Sequence, residues 1–359
     1  MKWPNQQKGI SLVELMVAMA LGLVLTLGVT QVFLGSSKTY RTTEAVSYLQ
    51  ENLRYSLARI SADVRMAGSK GCLVGEPTDH LRTGTGYEAV LWSEGRGVVG
   101  WEAPNTGLED EVTLNGFTKG GGNWSNGNGL AAPATMTTNA IRNTDFIVVT
   151  GSELVNITLD GNPSATANTI GTAAASGIPQ GSLMIAVTED CSAGDRFQKT
   201  NADTAAGIAI ERDTGAPGNA SATVLQTYTD NAFLYRYRSM GYFIGLGVNN
   251  EPALFRVALT PGENADPVEL VSGVESMQIL YGLATNKKRA ETYVDASEVT
   301  NWGDVVSVRI ALLMRSADQI LDEDNTQTFN LAGVEIDPGS DRRARLVATT
   351  TVGIRNRLE

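Results

Sequence analysis

Apolar positions along this chain fall into three patterns: first unbroken, then every three to four residues, then every second residue. From Ile10 to Leu34 the chain is almost wholly apolar, with Ser11, Glu14, Thr26, Thr30 and Gln31 as the exceptions. A helix of that length spans about 37 Å, enough for a bilayer core of about 30 Å. Val46, Leu49, Leu53, Leu57, Ile60 and Val64 then recur at steps of three and four, which makes one apolar stripe. Arg41, Glu44, Glu51, Arg54, Arg59, Asp63 and Arg65 mostly occupy the other faces, with Arg59 and Asp63 at (i, i+4) on an exposed flank. Gly68 supplies the stop signal. The spacing predicts one continuous helix, greasy on all sides at first and amphipathic afterwards.

Period two takes over in the last third. Val306, Val308, Ile310, Leu312 and Met314 share a face of Val305–Arg315, and Leu346, Ala348, Thr350, Val352 and Ile354 share a face of Arg345–Arg357. Half-buried antiparallel strands have this pattern. Phe233–Arg238, Leu254–Leu259 and Glu275–Tyr281 are further strand candidates, and Asp145–Thr150 and Leu183–Val187 read as short buried ones. The expected architecture is α+β, a long N-terminal helix packed on an antiparallel sheet in a roll. Its parts are residues 1–9, a leader; 10–34, membrane-spanning; 35–67, the amphipathic continuation; 68–230, a loop-rich β region; and 231–359, the C-terminal sheet.

Composition changes this picture in two places. The 38 glycines include the run Gly120–Gly129, which reads as a flexible surface loop. The formal charge of −11 argues against non-specific binding to nucleic acid. Cys72 and Cys191 are the only cysteines. They fit one disulfide in an oxidising compartment or two buried thiols, and neither has a Cys or His at zinc-ligand spacing.

The N-terminus carries more chemistry than topology. Lys2 and Lys8 precede the apolar run, so the positive-inside tendency keeps residues 1–9 cytoplasmic and sends the rest outward. The run is too long for an ordinary secretory signal, and an uncleaved anchor gives no reason for Glu14. Lys8-Gly9-Ile10-Ser11-Leu12-Val13-Glu14 resembles the prepilin pattern, with Ile10 where Phe is usual. That resemblance implies cleavage between Gly9 and Ile10 by a prepilin peptidase, then N-methylation of Ile10. A carboxylate inside a membrane helix costs several kcal/mol unless paired, about 3 by insertion scales. Cleavage would leave a positive α-amine at Ile10, at the end of the helix macrodipole where a cation is disfavoured. A neighbouring subunit's amine is therefore an apt partner for Glu14, the alternative being a carboxylate that caps the first turn.

Further motifs resemble the PilW family of type IV minor pilins. They are Asp63-Val64-Arg65-Met66-Ala67-Gly68, Gly71-Cys72, Thr144–Val149, Asp190-Cys191, Leu234-Tyr235-Arg236, Val274–Gly282, Trp302, Val305–Arg315 and Thr349–Leu358. The resemblance implies a pilin-like roll and a Cys72–Cys191 disulfide. It also implies a tip complex that primes pilus assembly and so supports twitching, attachment and DNA uptake. The implied partners are other minor pilins, the major pilin, the prepilin peptidase, the inner-membrane assembly platform and membrane lipid, with no cofactor. The implied location is a single-pass inner-membrane protein with its domain in the periplasm, then the pilus tip.

Rival functions have thinner support. A J-type minor pseudopilin of type II secretion shares the helix and sheet, but the tail motifs favour the pilus. Lys287-Lys288-Arg289 and Arg342-Arg343-Arg345 are the best support for a tip adhesin or DNA receptor, although such runs are usually solvated faces. His80, the single histidine, reads as a surface loop residue. Gly84-Thr85-Gly86 lacks the context of a dinucleotide site, and Asp322-Glu323-Asp324 reads as a solvated acidic loop rather than a calcium site. No catalytic site and no metal centre are expected.

Overall fold

The computed structural model describes residues 10–82, 97–114, 116–161, 168–202, 209–214, 218–220, 226–260, 264–286 and 289–357. Gly9, Gly84-Thr85-Gly86 and Lys287-Lys288 lie outside the described residues.

Helix α1 runs from Leu12 to Arg65, 54 residues without a break. Its start is a capping box: the Glu14 N–H donates to Ser11 Oγ at 3.2 Å, and the Ser11 N–H donates back to Glu14 Oε2 at 2.9 Å. Its end closes on Met66, whose N–H reaches the Asp63 and Val64 carbonyls. Gly68 follows at φ +70°, a left-handed turn that side chains resist, and its N–H donates to Thr150 O at 2.8 Å. A Cβ on Gly97 would lie 2.3 Å from Gly68 N, so the helix exit also needs glycine in the segment beside it.

Beyond the helix come β1 (Thr78–Asp79), β2 (Val98–Trp101), β3 (Glu111–Thr113) and a short helix α2 (Ala134–Asn139). Next are β4 (Phe146–Leu154), β5 (Leu159–Gly161), β6 (Thr169–Thr172), β7 (Leu183–Val187), β8 (Gly194–Gln198) and β9 (Ala209–Glu211). The remainder holds β10 (Phe233–Leu246), β11 (Pro252–Ala258), β12 (Val268–Ser272), β13 (Val274–Leu283) and β14 (Thr292–Val294). It closes with β15 (Val305–Gln319), β16 (Phe329–Leu331), β17 (Val334–Asp337) and β18 (Arg343–Gly353).

The α+β class is as expected, but the single sheet is not. An eight-stranded sheet orders β1-β8-β7-β10-β11-β12, with β4 also on β10 and β2 on β4. A four-stranded sheet orders β14-β13-β15-β18, and two three-stranded sheets order β16-β17-β3 and β5-β6-β9. Two pairings, β1 with β8 and β3 with β17, are parallel. Both bring a strand of the loop-rich segment to a distant partner, and connections that long do not impose antiparallel pairing. A boundary near residue 230 does not separate two bodies either, since β10 pairs with β4 and β7 on one side of it and with β11 on the other.

Helix α1 packs mainly on β18 and β15. Val308, Ile310, Leu312 and Met314 of β15 stand in register with Val352, Thr350, Ala348 and Leu346 of β18. The four β15 residues and Val352 join Leu49, Leu53, Ile60 and Val64 of the helix in the main core, with Leu346 and Ala348 packed at its edge. The opposite face of β15 was expected to be polar, yet Ala311 and Leu313 are buried there against Leu331, Val334 and Ile336. The small sheet of β16, β17 and β3 covers that face, so β15 is buried on both sides. The glycine-rich run is likewise no free loop: Trp124 packs on Phe146 and donates to Thr144 O at 2.9 Å.

Candidate functional site

The first half of α1 projects from the domain. Ile10, Leu21 and Leu34 are 77%, 66% and 60% exposed, whereas Ile60 and Val64, further along the same helix, are 0% exposed. An apolar surface this long marks a membrane or protein contact. Its two threonines fit either setting, because Thr26 donates to Gly22 O at 2.7 Å and Thr30 to Thr26 O at 2.8 Å. Each hydroxyl is thereby satisfied inside the helix.

Glu14 sits at the head of this segment. One carboxylate oxygen, Oε2, closes the capping box, while Oε1 accepts no hydrogen bond from any of the described residues. The capping and assembly roles are therefore compatible: a single carboxylate can cap its own helix and still accept a second donor. The Ser-x-x-Glu spacing was the signal for the cap.

The junction with the sheet is built from apolar and polar contacts together. Tyr242 of β10 donates its hydroxyl to Asp63 Oδ2, and the Arg59 and Arg256 guanidinium groups lie 3.9 Å from the same carboxylate. Asp63 is thus a half-buried clasp rather than part of a solvated flank. Asn356 Nδ2 donates to Ala67 O at 3.1 Å and ties the chain's end to the helix exit. Just beyond, Cys72 and Cys191 form a disulfide with Cα atoms 5.5 Å apart across 119 residues of sequence, which removes the free-thiol alternative. It lies over Ile185, Val187 and Tyr235, and the Cys72 N–H donates to Tyr235 Oη at 3.2 Å.

The other candidate residues are mostly bound up in internal contacts. Arg345 donates to Glu275 and Asp341, and its side chain is 1% exposed. Arg343 donates to Ser316 O at 2.6 Å and lies 3.5 Å from Glu251. The Arg342-Arg343-Arg345 run is therefore no open cationic face: Arg343 and Arg345, two apart on β18, are held by internal acceptors, and Arg342, just before the strand, is exposed. Arg289 is exposed on the surface. Asp322 pairs with Lys38 of the helix and Asp324 accepts from Ser340 at 3.4 Å, so the acidic loop is docked. Among the described residues no group of three or more His, Cys, Asp or Glu has metal-holding geometry.

His80 is not a surface residue. It is 5% exposed, and its Nε2 lies 2.7 Å from Asp195 Oδ1. The other Asp195 oxygen accepts from the Tyr228 hydroxyl at 2.5 Å and the Gln226 N–H at 3.3 Å. The parallel pairing of β1 with β8 carries His80 there, and no local signal in the sequence foretells it.

A second buried network gathers Glu102, Asp145 and Asp295. The Ala103 and Ile279 N–H groups donate to Asp145 at 3.0 and 2.9 Å, joining the segment after β2 to β13. Thr106 Oγ1 lies 2.8 Å from both Glu102 Oε1 and Ala103 O. One hydroxyl proton serves one acceptor, so when Thr106 donates to Ala103 O, Glu102 must be the donor to Thr106. Burial, then the charges of Asp145 and Asp295, push Glu102 up to about 10, consistent with that protonated form. Burial also pushes Asp145 up to about 8, against the pull of its two backbone donors. All three carboxyls are buried in the domain.

A bare apolar helix headed by a prepilin motif and built into a β-rich domain defines a pilin-like protein. The prokaryotic N-terminal methylation motif matches residues 4–30, and the family described as Type IV Pilus-assembly protein W matches residues 241–356. The second match covers about a third of the chain, so its likeness to that family is carried by the C-terminal sheet together with the N-terminal motif. Proteins with these two features assemble with other pilins and are processed by a prepilin peptidase, which is what the likeness implies for this chain. The apolar helix and motif fit a pilin anchored in the inner membrane. Among solved structures it is similar to a type IV-like pilin from Thermus thermophilus, at 16% identity, covering 50% of this chain and 86% of that one with a TM-score of 0.24. No curated protein matches. The fold described above therefore stands on its own strands, and the family likeness on the two sequence matches.

Proposed function

We propose that this protein is a minor pilin of the type IV pilus, part of a tip complex that primes assembly. Twitching, attachment and DNA uptake then depend on it through the pilus. The observation that carries this reading is the division of α1, bare and apolar behind the prepilin motif, then locked into the sheet. A subunit of this form holds its domain rigidly while offering its first half to a membrane or a fibre core. Cleavage between Gly9 and Ile10 frees an amine, methylated at Ile10, and Glu14 Oε1 accepts the corresponding amine of a neighbouring pilin. The domain lies on the periplasmic side before assembly. Other minor pilins, the major pilin and the assembly platform are its partners; catalysis and direct DNA binding form no part of the proposal.

The test is deletion of the gene and complementation with wild type or Glu14→Ala, scoring surface pili and type II secretion in parallel. Deletion is expected to remove most pili and leave secretion intact, and Glu14→Ala to give a several-fold loss of pili with a folded domain. Loss of secretion with normal pili would move the protein to the J-type pseudopilin role. Wild-type piliation with Glu14→Ala would remove the assembly contact.

A further inference from the structure

Where α1 leaves its apolar run, the domain reaches back to meet it. Residues Leu34 to Tyr48 of the helix and Ser316 to Asp322 with Arg342 of the domain enclose a cleft of about 1070 Å³. Lys38 and Asp322 pair across it and neutralise each other. Two guanidinium groups remain in the lining. Arg41 makes no ion pair among the described residues, and Arg342 has only the neutral Gln319 Oε1 at 3.3 Å.

Position decides what such a cleft meets. Lys38 and Arg41 lie about 6 and 10 Å beyond Leu34 along the helix axis, the depth of a headgroup layer and the reach of a long cationic side chain. We propose that the cleft seats the headgroup of an anionic phospholipid of the membrane that α1 crosses, its phosphate held between Arg41 and Arg342. A neighbouring pilin's apolar helix is a poorer occupant, because it would strip water from two guanidinium groups and return no acceptor. Glu44 and Asp318 also line the cleft. Glu44 stands almost one turn farther from the membrane than Arg41, and Asp318 is exposed to screening water. The inference rests on the reading of α1 as membrane-spanning.

Full-length protein, reconstituted in vesicles of equimolar phosphatidylcholine and phosphatidylglycerol and then extracted gently, is assayed for retained lipid by native mass spectrometry. Wild type should retain phosphatidylglycerol selectively, and Arg41→Gln with Arg342→Gln should lower that selectivity roughly tenfold. Asp322→Asn frees Lys38 and should raise it, a gain that misfolding does not produce. Equal selectivity in the double variant, or a fall with Asp322→Asn, overturns the proposal. So does displacement of the lipid by inorganic phosphate, which would make this a free-anion site, or cross-linking of a second pilin helix into the cleft. Carbonate-resistant membrane retention of the wild type is scored separately; its absence would defeat the membrane-spanning reading itself.

Discussion

The two halves of α1 are the same secondary structure in opposite surroundings. Up to Leu34 the helix is apolar on almost every side and buries nothing; from Leu49 it is apolar on one stripe, of which Leu49, Leu53, Ile60 and Val64 are buried and Leu57 partly so. What separates them is the period of the apolar residues, not helix propensity. A helix greasy all round needs an apolar medium supplied by something else, whereas a striped one supplies its own core with the sheet. The largest expected effect follows from this. Leu53→Ala should destabilise the domain by about 2–5 kcal/mol, the usual range for a fully buried leucine. Leu21→Ala should leave domain stability unchanged while altering behaviour in the membrane or the fibre. Denaturant unfolding of both variants in detergent checks the contrast. Equal losses would show that the halves form one packed unit.

That contrast was legible because it depends on local spacing. The helix, its exit near Gly68 and strands such as Leu183–Val187 follow from residues close in sequence. The misreadings share another origin. Ala311 and Leu313 are buried because a small sheet from elsewhere covers β15, and His80 because β1 meets β8 more than a hundred residues later. Trp124 looked like part of a glycine-rich loop until Phe146 gave it a wall. Arg343 and Arg345 read as a charge run because their acceptors, Glu251 and Glu275, lie far off in sequence. The Glu14 cap was readable from Ser-x-x-Glu, whereas its neighbour in a fibre lies outside any single chain.

The sheet domain also buries polar groups, the inverse of what the bare helix exposes. Glu102 and Asp145 are held above their ordinary values of 4.5 and 3.8 by burial first and by nearby carboxylates second. The folded state therefore keeps protons that the unfolded chain releases above about pH 4. Their stabilising effect is full below that pH and falls as pH rises toward 8, by up to about 1.4 kcal/mol per unit for each proton retained. Asp341 acts with the opposite sign. Burial alone would raise it, but Arg345 and Arg343 hold it low, so its contribution is lost as pH falls through its depressed pKa. Glu102→Gln preserves a donor for Thr106 without an ionisable group. It should raise stability at pH 8 by about 2 kcal/mol, on the order of one to two pH units of that slope, and flatten the profile between pH 5 and 8. An unchanged profile would mean that Glu102 is ionised in the folded protein.

The smallest effect tests how the buried half of α1 is held. Asp63 accepts from Tyr242 and lies 3.9 Å from the guanidinium groups of Arg59 and Arg256, so losing the phenol does not leave it without a cation. Tyr242 is itself 0% exposed, and its ring stays in the core when the hydroxyl is removed. Tyr242→Phe should therefore cost about 1 kcal/mol, the net value of one hydrogen bond whose acceptor keeps other partners. Unfolding measured alongside Leu53→Ala turns that number into a comparison. A loss well below that of Leu53→Ala places the strength of the junction in its apolar stripe and leaves the clasp to fix the helix's register on β10. An equal loss would make the Asp63 clasp a principal attachment, and the buried half would then owe its place to a polar contact that hydrophobic spacing does not reveal.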